Sequence, residues 1–181
     1  MLISHLIAIA LFATGTATAG DPCESALPAD LRAAAARELP GAALPRQGDD
    51  DPEDVVYNLD HGGTGCIGVA KGSFTGLGRT DYALLLADKG SVWLVVASAH
   101  ASSWRLEKVR ELAPPANRVG LYVDVAPAGT YEECCLDGEP EKGQVLKFSS
   151  NHEVVVAGRV ESSAIAFFKT KRGWVHLWLS D

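Results

Sequence analysis

Along this chain the apolar residues recur first at helical spacing and later in short runs broken by turn-forming residues. Leu31, Ala34, Ala35 and Leu39 share one face of a helix predicted over residues 24–38, with Ser25 or Asp30 as its cap and Pro40-Gly41 as its stop. Residues 40–54 follow as a polar connection carrying Asp49-Asp50-Asp51 and Glu53-Asp54, the composition of a solvated loop. From residue 55 onward, runs rich in Val, Leu, Phe and Trp alternate with Gly, Asn, Asp and Pro, which predicts strands.

The clearest pair is a hairpin over residues 81–87 and 91–98, turning at Asp88-Lys89-Gly90. Its arms are almost continuously apolar, which implies strands covered on both faces. Further strands are predicted at residues 104–109, 120–125, 144–148 and 153–160. A second hairpin spans residues 163–168 and 174–179, turning at Thr170-Lys171-Arg172-Gly173. The two hairpins match in length and in the Trp that follows each turn, yet two such units cannot close a propeller, which needs about four blades. The expected fold is mainly β, an antiparallel sheet or sandwich that does not close into a propeller, with one N-terminal helix. Residues 20–54 carry the helix and acidic loop and residues 55–181 the β domain, so that 20–181 form one globular unit.

The first 19 residues have a different character. An apolar run over residues 6–13 leads to Ala17-Thr18-Ala19, the small-x-small pattern of a signal peptide cleaved before Gly20 or Asp21, although no Lys or Arg precedes the run. No later segment approaches the roughly 18 apolar residues of a transmembrane helix. The expectation is a periplasmic or secreted protein with no membrane span. Its formal charge of -7 argues against nucleic acid, whose phosphates call for a basic face, and suits a cationic partner.

The cysteines number four, Cys23, Cys66, Cys134 and Cys135, an even count that reads as disulfides in an oxidising compartment. In extended chain Cys134 and Cys135 point to opposite faces, so each is expected to reach a different partner, one Cys23 and the other Cys66. A vicinal bridge between the two neighbours is the less favoured pairing. Without Cys-x-x-Cys, and with the histidines scattered singly, the pattern does not suit zinc, and nothing in it asks for a cofactor.

Candidate chemistry is thin. Gly63-Thr64-Gly65-Cys66-Ile67-Gly68 has the letters of a dinucleotide loop but no helical run after it. His61-Gly62-Gly63 lacks the Gly-x-Ser-x-Gly nucleophile turn that accompanies an oxyanion loop in hydrolases. His100 lies near Ser98, Ser102 and Ser103, which spacing alone leaves open as a Ser/His pair. A recognition face is the better candidate. On the last strand Trp174, His176 and Trp178 alternate with Val175, Leu177 and Leu179, so one set enters the core and the other, if exposed, makes an aromatic platform. Glu161 and Ser162, just before this hairpin, would add polar contacts.

Residues 72–86 carry a family resemblance. Gly72, Phe74, Gly76, Gly78 and Asp81, followed by Tyr82-Ala83-Leu84-Leu85-Leu86, resemble the FG-GAP and VCBS-type repeat, whose turn reads Gly-Asp-Phe-Asn-Gly-Asp-Gly-x-x-Asp before a hydrophobic strand. Ser73, Thr75 and Leu77 replace its acidic or amide ligands. The resemblance therefore implies the loop-strand turn and no metal, Asp81 being a vestigial ligand that caps the turn through backbone amides. The C-terminal stretch is similar to the end of small exported bacterial proteins of unknown function. Some domains with such a degenerate loop inhibit, or give immunity against, lysozyme-like envelope enzymes.

The functional expectation is an exported, non-catalytic periplasmic binding protein, an inhibitor or immunity factor for an envelope-targeting enzyme, with an envelope protein or a cationic lytic enzyme as partner. The alternatives are a hydrolase using His100 or His61 with a nearby serine, and a structural envelope module.

Overall fold

A computed structural model describes residues 20–180 apart from 102, 115–117 and 137; the signal peptide expected over residues 1–19 lies outside the described residues. Two antiparallel four-stranded sheets form the framework. The first contains β1 (Val69–Gly72), β2 (Asp81–Asp88), β3 (Ser91–His100) and β4 (Ser103–Ala113), in that spatial order. The second contains β5 (Leu121–Ala126), β8 (Val154–Arg159), β9 (Ala164–Thr170) and β10 (Gly173–Ser180), ordered β10-β9-β8-β5. A separate ribbon pairs β6 (Gly129–Glu132) with β7 (Lys147–Ser150). The fold is mainly β, its sheets are antiparallel, and none closes.

Alternation along the strands sorts the side chains into three cores. Ala83 and Leu85 of β2 meet Val155 and Ala157 of β8 and Ile165 and Phe167 of β9 in the core between the sheets. Tyr82, Leu84 and Leu86, the intervening residues of β2, face the other way and pack with Leu27, Leu31 and Leu39 of the N-terminal segment. On the far side of the second sheet, Ala166, Phe168 and Leu177 are covered by Tyr131 and Phe148 of the ribbon, with the Phe148 and Phe168 rings 4.4 Å apart. The continuously apolar arms of the first hairpin thus have the double covering that their sequence implies, and the second hairpin is covered on both faces as well.

The N-terminal cover is made of α1 (Pro22–Ala26) and α2 (Ala29–Glu38). The single helix expected over residues 24–38 is interrupted at Pro28, which takes the N-cap position of α2 and has no N–H to continue α1. A third helix, α3 (Pro52–Asp60), occupies residues that the sequence reading divided between a polar loop and the start of the β region. Its start signals are orthodox: Asp51 accepts a hydrogen bond from the Glu53 amide at 2.8 Å, Pro52 opens the first turn, and Glu53 and Asp54 complement the helix dipole. Val55, Val56 and Tyr57, residue types favoured in strands, obscured them.

The cysteine pairing also differs from expectation. Cys23 bonds Cys66, and Cys134 bonds its neighbour Cys135. Cys66 lies just before β1 beside α1, with the Cα atoms of Cys23 and Cys66 5.0 Å apart, so the N-terminal cysteine is used locally and the other two are left to each other. The first bond links residues 43 apart, a closure that the chain-entropy model values at about 4 kcal/mol.

In the loop before β2, Asp81 is fully buried and one carboxylate oxygen accepts hydrogen bonds from the Thr75 amide at 2.7 Å and the Thr75 hydroxyl at 2.9 Å. That is the turn-capping role expected of it. Ser73 is likewise spent on structure, its hydroxyl donating to the Arg79 carbonyl at 2.7 Å.

Because Leu85 is fully buried where the sheets meet, Leu85→Ala should cost about 2–5 kcal/mol in urea unfolding. Leu77→Ala, on an exposed loop position, should stay within about 0.5 kcal/mol of the parent.

Candidate functional site

A concavity lies where the two sheets meet along β1 and β5. Ile67 and Gly68, just before β1, bind both sheets: the Ile67 carbonyl accepts from Val123 of β5 at 2.9 Å and the Gly68 carbonyl from Leu85 of β2 at 3.0 Å. Beside this junction is a cleft of about 1000 Å³. α3 forms one wall with Glu53, Asp54 and Tyr57, β5 contributes Tyr122 and Asp124, and the β8–β9 turn contributes Glu161 and Ser162.

Each wall is held by local contacts. The loop after α3 is pinned to the helix, with the Gly63 amide donating to the Asn58 carbonyl at 2.8 Å and the Gly65 amide to the Asn58 side chain at 2.8 Å. Gln47 also reaches the Gly65 carbonyl at 3.2 Å. On the opposite wall, a Cβ at Gly158 would collide with the Ser163 carbonyl, so only glycine permits the tight β8–β9 turn. Glu161 occupies that turn with φ of 56°, a left-handed conformation unusual for a non-glycine residue.

The electrostatics of the cleft are acidic. Glu53, Asp54, Asp124 and Glu161 outnumber Lys71 and Arg159 among its lining residues. The Asp54 carboxyl is held above its ordinary value by burial and then by the neighbouring charges of Asp51 and Glu161. Among the described residues neither Asp54 nor Glu161 has an ion-pair partner. The Tyr122 hydroxyl is likewise pushed up, by burial and then by Asp124. α3 also leaves Val56, Tyr57 and Leu59 exposed at 56%, 62% and 50%, Tyr57 being part of the cleft wall as well. Exposed apolar side chains of this size on one short helix are candidate contact residues.

Of the sequence candidates, Glu161 and Ser162 stand on the rim of this cleft. Trp174, His176 and Trp178 do not. Trp174 and Trp178 lie half-buried against the core between the sheets, and His176 is buried. Val175, Leu177 and Leu179 pack under the ribbon, so both faces of β10 are covered and no aromatic platform stands in solvent. The sequence reading missed α3 and Tyr122; the Asp51-Pro52-Glu53 start signal was the available pointer to the helix.

The histidines are engaged elsewhere. His61 stacks on Tyr57 with ring centroids 4.0 Å apart and its Nδ1 meets the Tyr57 carbonyl at 2.8 Å. Arg110 donates to His176 Nε2 at 2.6 Å and to Glu141 at 2.9 Å, which requires a neutral imidazole accepting at Nε2. Near His100, the hydroxyl of Ser103 donates to the His100 backbone carbonyl, leaving the ring out of the contact. Among the described residues no hydrogen bond joins a histidine ring to a serine hydroxyl, and no cluster of three His, Cys, Asp or Glu could hold a metal. The glycine-rich stretch at residues 63–68 follows a helix and precedes a strand, the reverse of a dinucleotide loop. Among the described residues no helix is long and apolar enough to cross a membrane.

Fold and site define a two-sheet antiparallel β protein with an acidic cleft beside an exposed helix. No family model matches the chain, and no curated protein or solved structure matches it.

Two buried groups set opposite pH dependences. Asp50 is buried without a hydrogen-bond partner for either carboxylate oxygen, and its pKa is pushed up to about 6 by burial, Arg118 opposing and Asp49, Asp54 and Asp21 adding. The folded protein thus binds this proton more tightly than the unfolded chain, and Asp50 adds stability as pH falls from about 6 towards about 4. His176 is held below its ordinary value by burial and Arg110, so its contribution is lost as pH falls through 6.5. Urea unfolding from about pH 7 to about pH 4 should show a steeper acid loss in Asp50→Asn and a shallower one in His176→Gln. Profiles parallel to the parent's would overturn both assignments.

Proposed function

We propose that this chain is an exported, non-catalytic binding protein whose recognition surface is the cleft together with the outer face of α3. The observation that carries this reading is that Asp54 and Glu161, neither with an ion-pair partner among the described residues, line the same cleft beside the exposed Val56, Tyr57 and Leu59. Keeping like charges close is unfavourable in the free protein, and a cation placed between them relieves the repulsion. The apolar side chains supply contact area, and the acidic rim supplies steering and register.

A partner with a basic, partly apolar surface fits this chemistry. Cell-wall lytic enzymes of the lysozyme type are the class we favour, which makes the protein an inhibitor or immunity factor. The degenerate FG-GAP/VCBS-like loop at residues 72–81 belongs to the same reading as a support for β2. Export agrees with the disulfides, since bonds of this kind persist in oxidising compartments.

The test is binding of the oxidised protein to a panel of basic peptidoglycan-cleaving enzymes, followed by calorimetry and association kinetics. A stoichiometric complex is expected, with an association rate that falls as salt rises. Asp54→Asn with Glu161→Gln should slow association about tenfold, and Tyr57→Ala should accelerate dissociation by at least about tenfold. A panel without any binder, or a complex indifferent to all three substitutions, would sink the reading.

A further inference from the structure

The two disulfides occupy opposite environments. Cys23 and Cys66 are buried at 0% and 2% exposure, in the core under the N-terminal helices. Cys134 is exposed and Cys135 half-exposed. Thiol–disulfide exchange needs an attacking thiolate to reach sulfur, so access alone separates the two bonds.

The exposed pair lies in a segment that closes a sheet edge. β10 is the last strand of its sheet and would present unpaired backbone groups. At Trp178 those groups are taken by residues 133–135: the Cys134 amide donates to the Trp178 carbonyl at 3.1 Å, and the Trp178 amide donates to the Glu133 carboxylate at 2.9 Å. The other Glu133 oxygen accepts from the Cys135 amide at 3.3 Å, so one carboxylate ties the cysteine pair to the strand. The next stretch of the edge is covered separately, where the Val145 amide donates to the His176 carbonyl at 2.9 Å and the His176 amide to the Gly143 carbonyl at 3.0 Å.

The geometry points to Cys134–Cys135 as a thiol-exchange site for an external dithiol, whose reduction unfastens residues 133–135 from the edge of β10. One thiolate of the dithiol attacks Cys134 Sγ, forming a mixed disulfide and breaking the bond to Cys135, which leaves as thiolate and takes up a proton. The second thiol of the donor then attacks its own sulfur in the mixed disulfide and expels Cys134, which is protonated in turn. Two electrons and two protons pass to the cysteines, and the donor ends as a disulfide. Without the bridge the peptide joining the two cysteines is free to rotate, and the Cys134 and Cys135 amides no longer face Trp178 and Glu133 together. The released edge is the type of surface that accepts an added strand.

The test treats the folded, oxidised protein with dithiothreitol, blocks the thiols with iodoacetamide and maps them by mass spectrometry. Cys134 and Cys135 should be labelled at least about tenfold faster than Cys23 and Cys66. In the same samples, hydrogen exchange at the Trp178 amide should accelerate on reduction while that at Leu85 holds. The double variant Cys134→Ser with Cys135→Ser should reproduce the reduced pattern without reductant, and Glu133→Gln should speed Trp178 exchange with the disulfide intact. If the double variant does not fold, the reduced parent still decides the matter. Equal labelling of all four cysteines, a peptide joining Cys134 or Cys135 to Cys23 or Cys66, or Trp178 exchange unmoved by reduction would each overturn the proposal.

Discussion

Residues 66–68 hold more of this structure together than their number suggests. Cys66 is bonded to Cys23 of α1, the Ile67 carbonyl accepts from β5, and the Gly68 carbonyl accepts from β2. Helical cover, first sheet and second sheet therefore meet within one short stretch of backbone. Gly68 also needs to be bare, since a Cβ there would press on Pro45 and approach Arg118. The cleft opens beside this junction because the edge strands of the two sheets, β1 and β5, come together there and α3 stands against them. Its walls inherit their rigidity from a point where covalent and hydrogen-bonded restraints converge.

The surface nearby is governed by charge, and the interior by exceptions to its exclusion. Asp50 and Arg118 are buried with hydrogen-bonding groups left without partners. Arg118 reaches Asp49 at 3.4 Å and the Leu85 carbonyl at 3.4 Å, so the acidic connection is drawn onto the β framework and is not a freely solvated loop. Arg110, His176 and Glu141 likewise join β4, β10 and the loop between β6 and β7. These clusters sit outside the three apolar cores and cross between elements that apolar contacts alone would leave free to slide.

Much of the strand framework was legible in the sequence. Both hairpins announced themselves through apolar arms and polar turns, and in the first the continuous apolar arms also told that it would be covered on both faces. The loop before β2 was legible down to the role of Asp81, the single carboxylate among its glycines. What failed to show was whatever depended on which distant elements meet. α3 was hidden by strand-forming Val55, Val56 and Tyr57, whose burial and exposure are settled by tertiary placement and not by propensity. The cysteine pairing does not follow from strand alternation, because Cys134 and Cys135 lie beyond the end of β6. Alternation on β10 gives two faces, but sequence gives no count of the layers outside a sheet. Glu161 and Ser162 came through to the cleft because turn residues stay at the surface wherever the sheets pack.

The double covering of β2 and β3 has a further consequence for how the protein comes into being. Their outer face, with Leu84, Leu86 and Val95, is shielded by α1 and α2, which precede them in the chain and are fastened by Cys23 to Cys66. Both cysteines precede the two strands in the chain, so a bond formed early places the lid ahead of the surface it will cover. A chain held reduced would build the same hairpin with its lid untethered, leaving a greasy sheet face bare at intervals and available to its neighbours. The Cys23–Cys66 bond thus keeps that face covered from neighbouring chains as well as contributing to stability.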